Sequence, residues 1–309
     1  MQNTEQERQS GLKLIVILGY ILLLVGLNIY GADKEIPVNT DDPNGVMKLK
    51  ISQAIGVFVI FICPAILFSL FWTKAKARYT GIFTRPLLLT LLLAGLGMMF
   101  AMPLINWLAV LNQKMTLPEA FKGLEMWMQE SEARLAELTE VYSKGTTVGV
   151  LLLNLFVMAF MAALTEEFFF RGILQKVTIE FTKNKHIGVW FAAIIFSAFH
   201  LQFYGFVPRM LMGAFLGYLF VWSGSLWPAI LAHFVNNGIA VTVFWLADRG
   251  AVSADADKIG IQPGEWVYVV VCAIIVALCL FAVYYIEKRR KRMAEAIAVP
   301  PAITDSAEV

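Results

Sequence analysis

Eight apolar stretches follow one another along the chain, separated by shorter polar connections. They lie at about 14–30, 51–72, 86–111, 148–170, 187–203, 207–222, 226–247 and 266–286. Each is close to the ~20 helical residues that cross a ~30 Å hydrocarbon core. Backbone amides inside a bilayer must bond within the protein, so the pattern predicts an all-α polytopic transmembrane helical bundle of about eight helices. The connection 113–147 is too polar to span. Within it Phe121, Leu124, Trp127 and Met128, then Leu135, Leu138 and Tyr142, recur at helical spacing. An amphipathic helix on the outer surface is expected there, with Pro118 near its start, as an ordinary connecting helix and not a docking element. The tail 293–309 has prolines and little periodicity, and disorder is expected for it.

Composition agrees with this pattern. The 59% hydrophobic content and mean hydropathy of +0.68 exceed the ~45–50% apolar content of soluble domains. A net charge of +2 gives no sign of a nucleic-acid partner, because the basic residues stand beside apolar spans. Fifteen of the 25 Lys and Arg residues fall on the side that holds both termini and the even-numbered connections. That bias predicts a multi-pass protein of the cell membrane with both termini cytoplasmic. The first span has no small-residue cleavage site after it and is expected to be a transmembrane helix, not a signal peptide. Cys63, Cys272 and Cys279 all sit in apolar runs, so neither a disulfide framework nor a thiolate metal site is expected.

A few polar side chains break the apolar runs. Thr165-Glu166-Glu167-Phe168-Phe169-Phe170-Arg171-Gly172 closes the fourth span with two carboxylates and a guanidinium. A charge at membrane depth costs at least ~2.5–3.5 kcal/mol and so usually faces the protein interior. Glu167 and Arg171 are i,i+4 neighbours, expected to form a structural pair that orients Glu166. Glu166 lies about 100° away and is left without that partner. His200 follows Phe196 in the fifth span, and His233 and Asn237 share one face of the seventh; the third histidine, His186, belongs to a polar connection. Counted from the inner ends of their spans, Glu166 and His233 come out roughly 10 Å deep and His200 nearer 20 Å, a mismatch that a later start to the fifth span would remove. A carboxyl held away from water can take a proton from a bound water. Imidazoles can hold that water or a metal, and an amide can donate to an oxyanion. Those are the parts for hydrolysing an amide with water as nucleophile. No Ser-His-Asp arrangement and no His-Glu-x-x-His helix is present.

Glu166-Glu167-x-x-Phe170-Arg171-Gly172, Phe196-x-x-x-His200 and His233-x-x-x-Asn237 resemble the three motifs of the CPBP family. That family comprises CAAX-prenyl endopeptidases and bacteriocin-processing enzymes and is also called Abi. The resemblance covers about 151–247. It implies an intramembrane endopeptidase whose site opens toward the cytoplasm and which cleaves near the C-terminus of a membrane-associated or lipidated protein or peptide. It implies Glu166 as the water-activating base, with His200, His233 and Asn237 around the scissile carbonyl; Glu167, Arg171 and Phe196 would orient them. Three units are then expected: 1–147, with three transmembrane helices and the extracytoplasmic amphipathic helix; 148–247, a catalytic core of four; and 248–309, the last transmembrane helix and a basic cytoplasmic tail. Zinc is one option for the site, on His200 and His233 with Glu166 as third ligand. A metal-free route through Glu166 is the other. Two further classes compete. A non-catalytic membrane scaffold or bacteriocin-immunity protein on the same fold is disfavoured by the intact motif set. A transporter or proton relay is disfavoured because Pro64, Pro103 and Pro228 do not interrupt spans at matching positions.

Overall fold

A computed structural model describes residues 2–32, 43–72, 76–252, 259–262 and 264–298. Among them the only regular structure is helical. We number nine helices in chain order. They are α1 (Gln2–Ala32), α2 (Gly45–Trp72), α3 (Leu88–Gln113), α4 (Lys122–Ser143) and α5 (Val148–Thr182). Then come α6 (Lys185–Phe199), α7 (Phe206–Ser223), α8 (Trp227–Asp248) and α9 (Trp266–Ala298). Seven of these are long and apolar enough to cross a membrane among the described residues. The protein is a multi-pass helical bundle.

Three expected boundaries change. The fourth span does not stop at 170, because α5 runs 35 residues to Thr182. Ile173, Leu174 and Val177 carry its apolar stripe onward, each at most 1% exposed. It ends where Lys183 turns into the left-handed region at φ 55°, after which Asn184 accepts the His186 and Ile187 amides to start α6. The fifth span is shorter than expected: α6 has 15 residues, about 22 Å of helix and less than the hydrocarbon thickness. Finally, α9 carries residues 293–298 of the expected disordered tail as helix; 299–309 lie outside the described residues.

Small residues let α7 approach α5 and α6. A Cβ on Gly217 would lie 2.7 Å from Gln175 Oε1 and 3.0 Å from Val189, and one on Gly213 would meet Ala193 at 3.1 Å. The bare glycine backbones also leave room for polar side chains. Arg171 Nη2 donates to Gly213 O at 3.0 Å and Gln175 Nε2 to Gly217 O at 3.1 Å. One turn of α5 thus repeats its contact one turn along α7. On the other side, the Phe61 ring of α2 lies 5.7 Å from Phe169 and 5.8 Å from Phe170. Thr90 of α3 donates to the buried Glu287 of α9 at 2.6 Å.

The basic bias is weaker than the sequence count implies, because Arg171 is inside the bundle at 1% exposure. On the remaining asymmetry, the connection before α6 is expected on the cytoplasmic side and α4 on the other. Single cysteines introduced at Lys185 and at Lys122 are therefore expected to label from opposite faces of sealed vesicles, Lys185 from the cytoplasmic face. Labelling of both from one face would overturn the proposed orientation.

Candidate active site

Glu166 and Glu167 lie near the middle of α5, between two stretches of wider π-helical turn at Leu155–Met161 and Phe170–Gln175. Such turns redirect the side chains around them and recur at functional sites. Glu166 is 16 residues from Thr182, so it lies about 24 Å from that end of the helix. The expected depth of 10 Å is thereby corrected, and Glu166 reaches the level at which α6 ends.

The chain turns immediately after α6, and His200 is the turning residue. Leu201 adopts φ 53°, a left-handed conformation that costs a bulky residue roughly 1–2 kcal/mol. Irregular backbone inside a bundle needs its carbonyls satisfied by the protein. Here Ser131 Oγ faces Leu201 O at 3.5 Å, Arg209 Nη1 donates to Gln202 O at 3.3 Å, and Asn112 Nδ2 donates to Phe203 O at 2.7 Å. Ser197 Oγ donates to Phe206 O at 2.7 Å. Helix α4 supplies part of this support. Its Trp127 ring packs 5.3 Å from Phe203, and the Tyr204 amide donates to Glu132 Oε2 at 3.4 Å. Burial holds the Glu132 carboxyl above the usual carboxylate range, opposed by that amide and by Arg209. Helix α4, which connects α3 to α5, thus packs on the turn that carries His200. Ser131, Glu132, Asn112 and Arg209 were not singled out from the sequence, since the turn they serve is itself apolar in sequence.

Arg171, Glu167 and His233 form one buried chain. Glu167 Oε1 accepts from Arg171 Nη1 at 2.7 Å and from His233 Nδ1 at 2.8 Å. The expected pair is present, but it orients His233 and not Glu166. The Arg171 guanidinium lies 4.5 Å over the Phe196 ring. The same ring meets His200 edge-on at 4.8 Å and His233 at 5.8 Å between centroids. Phe196 therefore seats both imidazoles against the cation. His200 Nδ1 donates to Phe196 O at 2.8 Å. Each ring gives its Nδ1 proton to an oxygen, which leaves each Nε2 as an acceptor when the ring is neutral.

Both Nε2 atoms point to Glu166. Its Oε2 stands 3.8 Å from His200 Nε2 and 3.9 Å from His233 Nε2, too far for a direct hydrogen bond. That oxygen is buried and makes no hydrogen bond within the protein. The Glu166 side chain nevertheless keeps 13% of its surface and that of His200 26%, whereas Glu167 has none, so of the two carboxylates only Glu166 can meet a bound molecule. Asn237, one turn after His233, donates one amide hydrogen to Met158 O at 3.3 Å and accepts from Asn236 at 3.0 Å, leaving a second N–H. His186 lies away from this cluster, with Nδ1 2.8 Å from the Tyr218 hydroxyl.

The donor types suit zinc, and each ring's second nitrogen engages an oxygen, as it does in zinc-binding histidines. Their arrangement does not fit one: among the described residues no three His, Cys, Asp or Glu side chains are grouped to hold a metal ion. Tetrahedral zinc with bonds of about 2.0–2.1 Å would bring donors to roughly 3.4 Å from one another, closer than the 3.8 and 3.9 Å seen from Glu166.

Fold and site together define a multi-pass helical membrane protein with a buried Glu–His–His cluster at mid-bundle. Residues 148–239 match the family model described as type II CAAX prenyl endopeptidase, Rce1-like. This segment is similar to Rce1-like domains, which bears out the resemblance carried by the three motifs. The chain is also 29% identical over 104 residues to an uncharacterized protein, YpbD, of Bacillus subtilis (strain 168). That match takes in 32% of this chain and spans about half, 48%, of the curated relative's length. No solved structure matches the chain.

Proposed function

We propose that this protein is an intramembrane endopeptidase that cleaves a peptide bond near the C-terminus of a membrane-associated substrate, using water activated by Glu166. The observation that carries the reading is the unpartnered Glu166 Oε2 facing two imidazole Nε2 atoms at 3.8 and 3.9 Å. A water seated among the three atoms lies within hydrogen-bond distance of each. Glu166 takes one of its protons while its oxygen attacks the scissile carbonyl. The free N–H of Asn237 donates to the oxyanion, a kind of contact worth roughly 3–4 kcal/mol elsewhere. Glu166 then passes the proton to the leaving amine as the C–N bond breaks. The water's second hydrogen goes to one of the two Nε2 acceptors and the other Nε2 lines the site, each ring being fixed by the Nδ1 hydrogen bond behind it. No step passes through a metal. The Rce1-like family supports a peptide substrate and a lipid-anchored C-terminal tail as the first to try. We assign the chemistry to 148–247, with 1–147 and 248–309 flanking it, in a cell-membrane protein whose termini are both cytoplasmic.

Lys176 is engaged within the bundle and does not present its charge to such a tail. Its ammonium bonds the Tyr79 carbonyl and faces the Tyr79 and Phe220 rings. Lys183 and Lys185 are exposed and remain the cations at that end of α5 and α6.

The test is cleavage of a membrane-tethered peptide by the purified chain in proteoliposomes, with metal analysis of the same preparation. We expect turnover to persist in strong chelator and to vanish in His200→Ala and in His233→Ala. One zinc per chain, lost in either histidine variant together with activity, would replace this mechanism by metal-activated water. No cleavage by the parent of any tethered tail would favour the scaffold or immunity reading.

A further inference from the structure

A cavity of about 510 Å³ opens between α6, α7 and α9, where α9 leaves its apolar stretch. It is remote in kind from the Glu166 cluster: basic and aromatic, with one carboxylate, Glu295, in its lining. Trp222 forms the floor. Its ring stacks on Tyr218 at 5.1 Å and meets Tyr284 edge-on at 5.4 Å. Tyr218 is held in turn by His186, 2.8 Å from its hydroxyl. Four cations line the rest: Lys185 from the start of α6, and Lys288, Lys291 and Arg292 from α9. Lys288 donates to the Tyr284 hydroxyl at 3.1 Å and Lys291 to Val221 O at 3.3 Å. Among the described residues none of the four makes an ion pair within the bundle, so their charge is open to a ligand.

We propose that this cavity binds the phosphate of an anionic membrane lipid. A bias toward basic residues beside a span explains that Lys and Arg are present, but not that they ring a cavity floored by three aromatic rings from two helices. Tyr and Trp favour the depth of lipid headgroups, and basic pockets between transmembrane helices suit phosphate headgroups. An acyl chain attached to such a headgroup also has somewhere to lie: α9 leaves Leu278, Phe281 and Tyr285 exposed, at 61, 66 and 58%. The inference is independent of the proposed peptidase activity.

The full chain in neutral detergent would be titrated with dioleoylphosphatidylglycerol, with dioleoylphosphatidylcholine and with inorganic phosphate. Readouts are the melting temperature and lipid retained in native mass spectrometry. The phosphatidylglycerol alone should raise the melting temperature and be retained as one tightly held lipid. Lys288→Gln and Lys291→Gln should each weaken its binding about fivefold, the effect of removing one cation near an anionic surface. Arg289→Gln removes a charge from the same basic run at a position outside the cavity and should leave binding unchanged. Equal loss in Arg289→Gln would reduce the effect to general surface attraction and overturn the site. Equal retention of the zwitterionic lipid would overturn the anionic specificity. Inorganic phosphate acting as strongly as the lipid would make this a site for a soluble phosphate instead.

Discussion

Glu166→Gln should abolish measurable cleavage of a tethered peptide while leaving substrate binding intact. The substitution keeps shape and volume but removes the only accessible carboxylate in the cluster. Positioned general bases contribute about 10²–10⁴-fold, and this one serves both the attacking water and the leaving amine, so the upper part of that range is expected. An amide at this position can still hydrogen-bond the water; it cannot take its proton. The measurement is turnover in proteoliposomes, paired with crosslinking of a photoactivatable tethered peptide to report binding. Stability should change little, because Glu166 Oε2 makes no hydrogen bond within the protein. A variant that cleaves at the parental rate would remove the catalytic assignment altogether and return the protein to the scaffold class. A variant that neither cuts nor binds would assign Glu166 to substrate recognition instead of proton transfer.

Arg171→Ala should lose folded protein as well as activity. The guanidinium is 1% exposed and its carboxylate partner 0%, joined at 2.7 Å. Removing one member of a buried pair typically costs about 3–5 kcal/mol, because the other charge is left buried without compensation. The loss here reaches further than the pair. Glu167 would retain only His233, Gly213 O would lose its second donor, and Phe196 would lose the cation above its ring. Arg171→Lys should recover part of the stability. A single ammonium restores the charge on Glu167 but lacks the fork that reaches Gly213 O at the same time. Thermal melting in detergent, followed in parallel with peptide cleavage, checks both. If Arg171→Ala melts like the parent and yet fails to cleave, Arg171 has a direct role on substrate.

The difference between the two carboxylates shows how the residues could be read without coordinates. Glu167 and Arg171 are one helical turn apart, so local geometry alone marks that pair as structural and leaves Glu166 free. The same reasoning stops short of His233, which lies 66 residues from Glu167 and bonds it only because α8 packs against α5. Phe196 is similar. Its i,i+4 relation to His200 is local, whereas its contacts with Arg171 and His233 join three helices.

Length and polarity of the apolar runs determined by themselves that this chain is a helical membrane protein, because a bilayer admits few other ways to satisfy a backbone. They also determined which polar residues had to be explained, since Glu166, His200, His233 and Asn237 interrupt runs that otherwise have no need of them. Tertiary structure decided the depth and the neighbours. Hydropathy reads His200 to Phe203 as a continuing span, because it registers side chains and not carbonyls. The chain can turn there only because Ser131, Asn112 and Arg209 come from three other places to meet the exposed carbonyls. That turn sets His200 level with Glu166 at the middle of α5, and the close approach of α7 at Gly213 and Gly217 gives Arg171 and Gln175 their acceptors. Long-range hydrogen bonds of this kind have no period along the chain, so only the packed bundle reveals them.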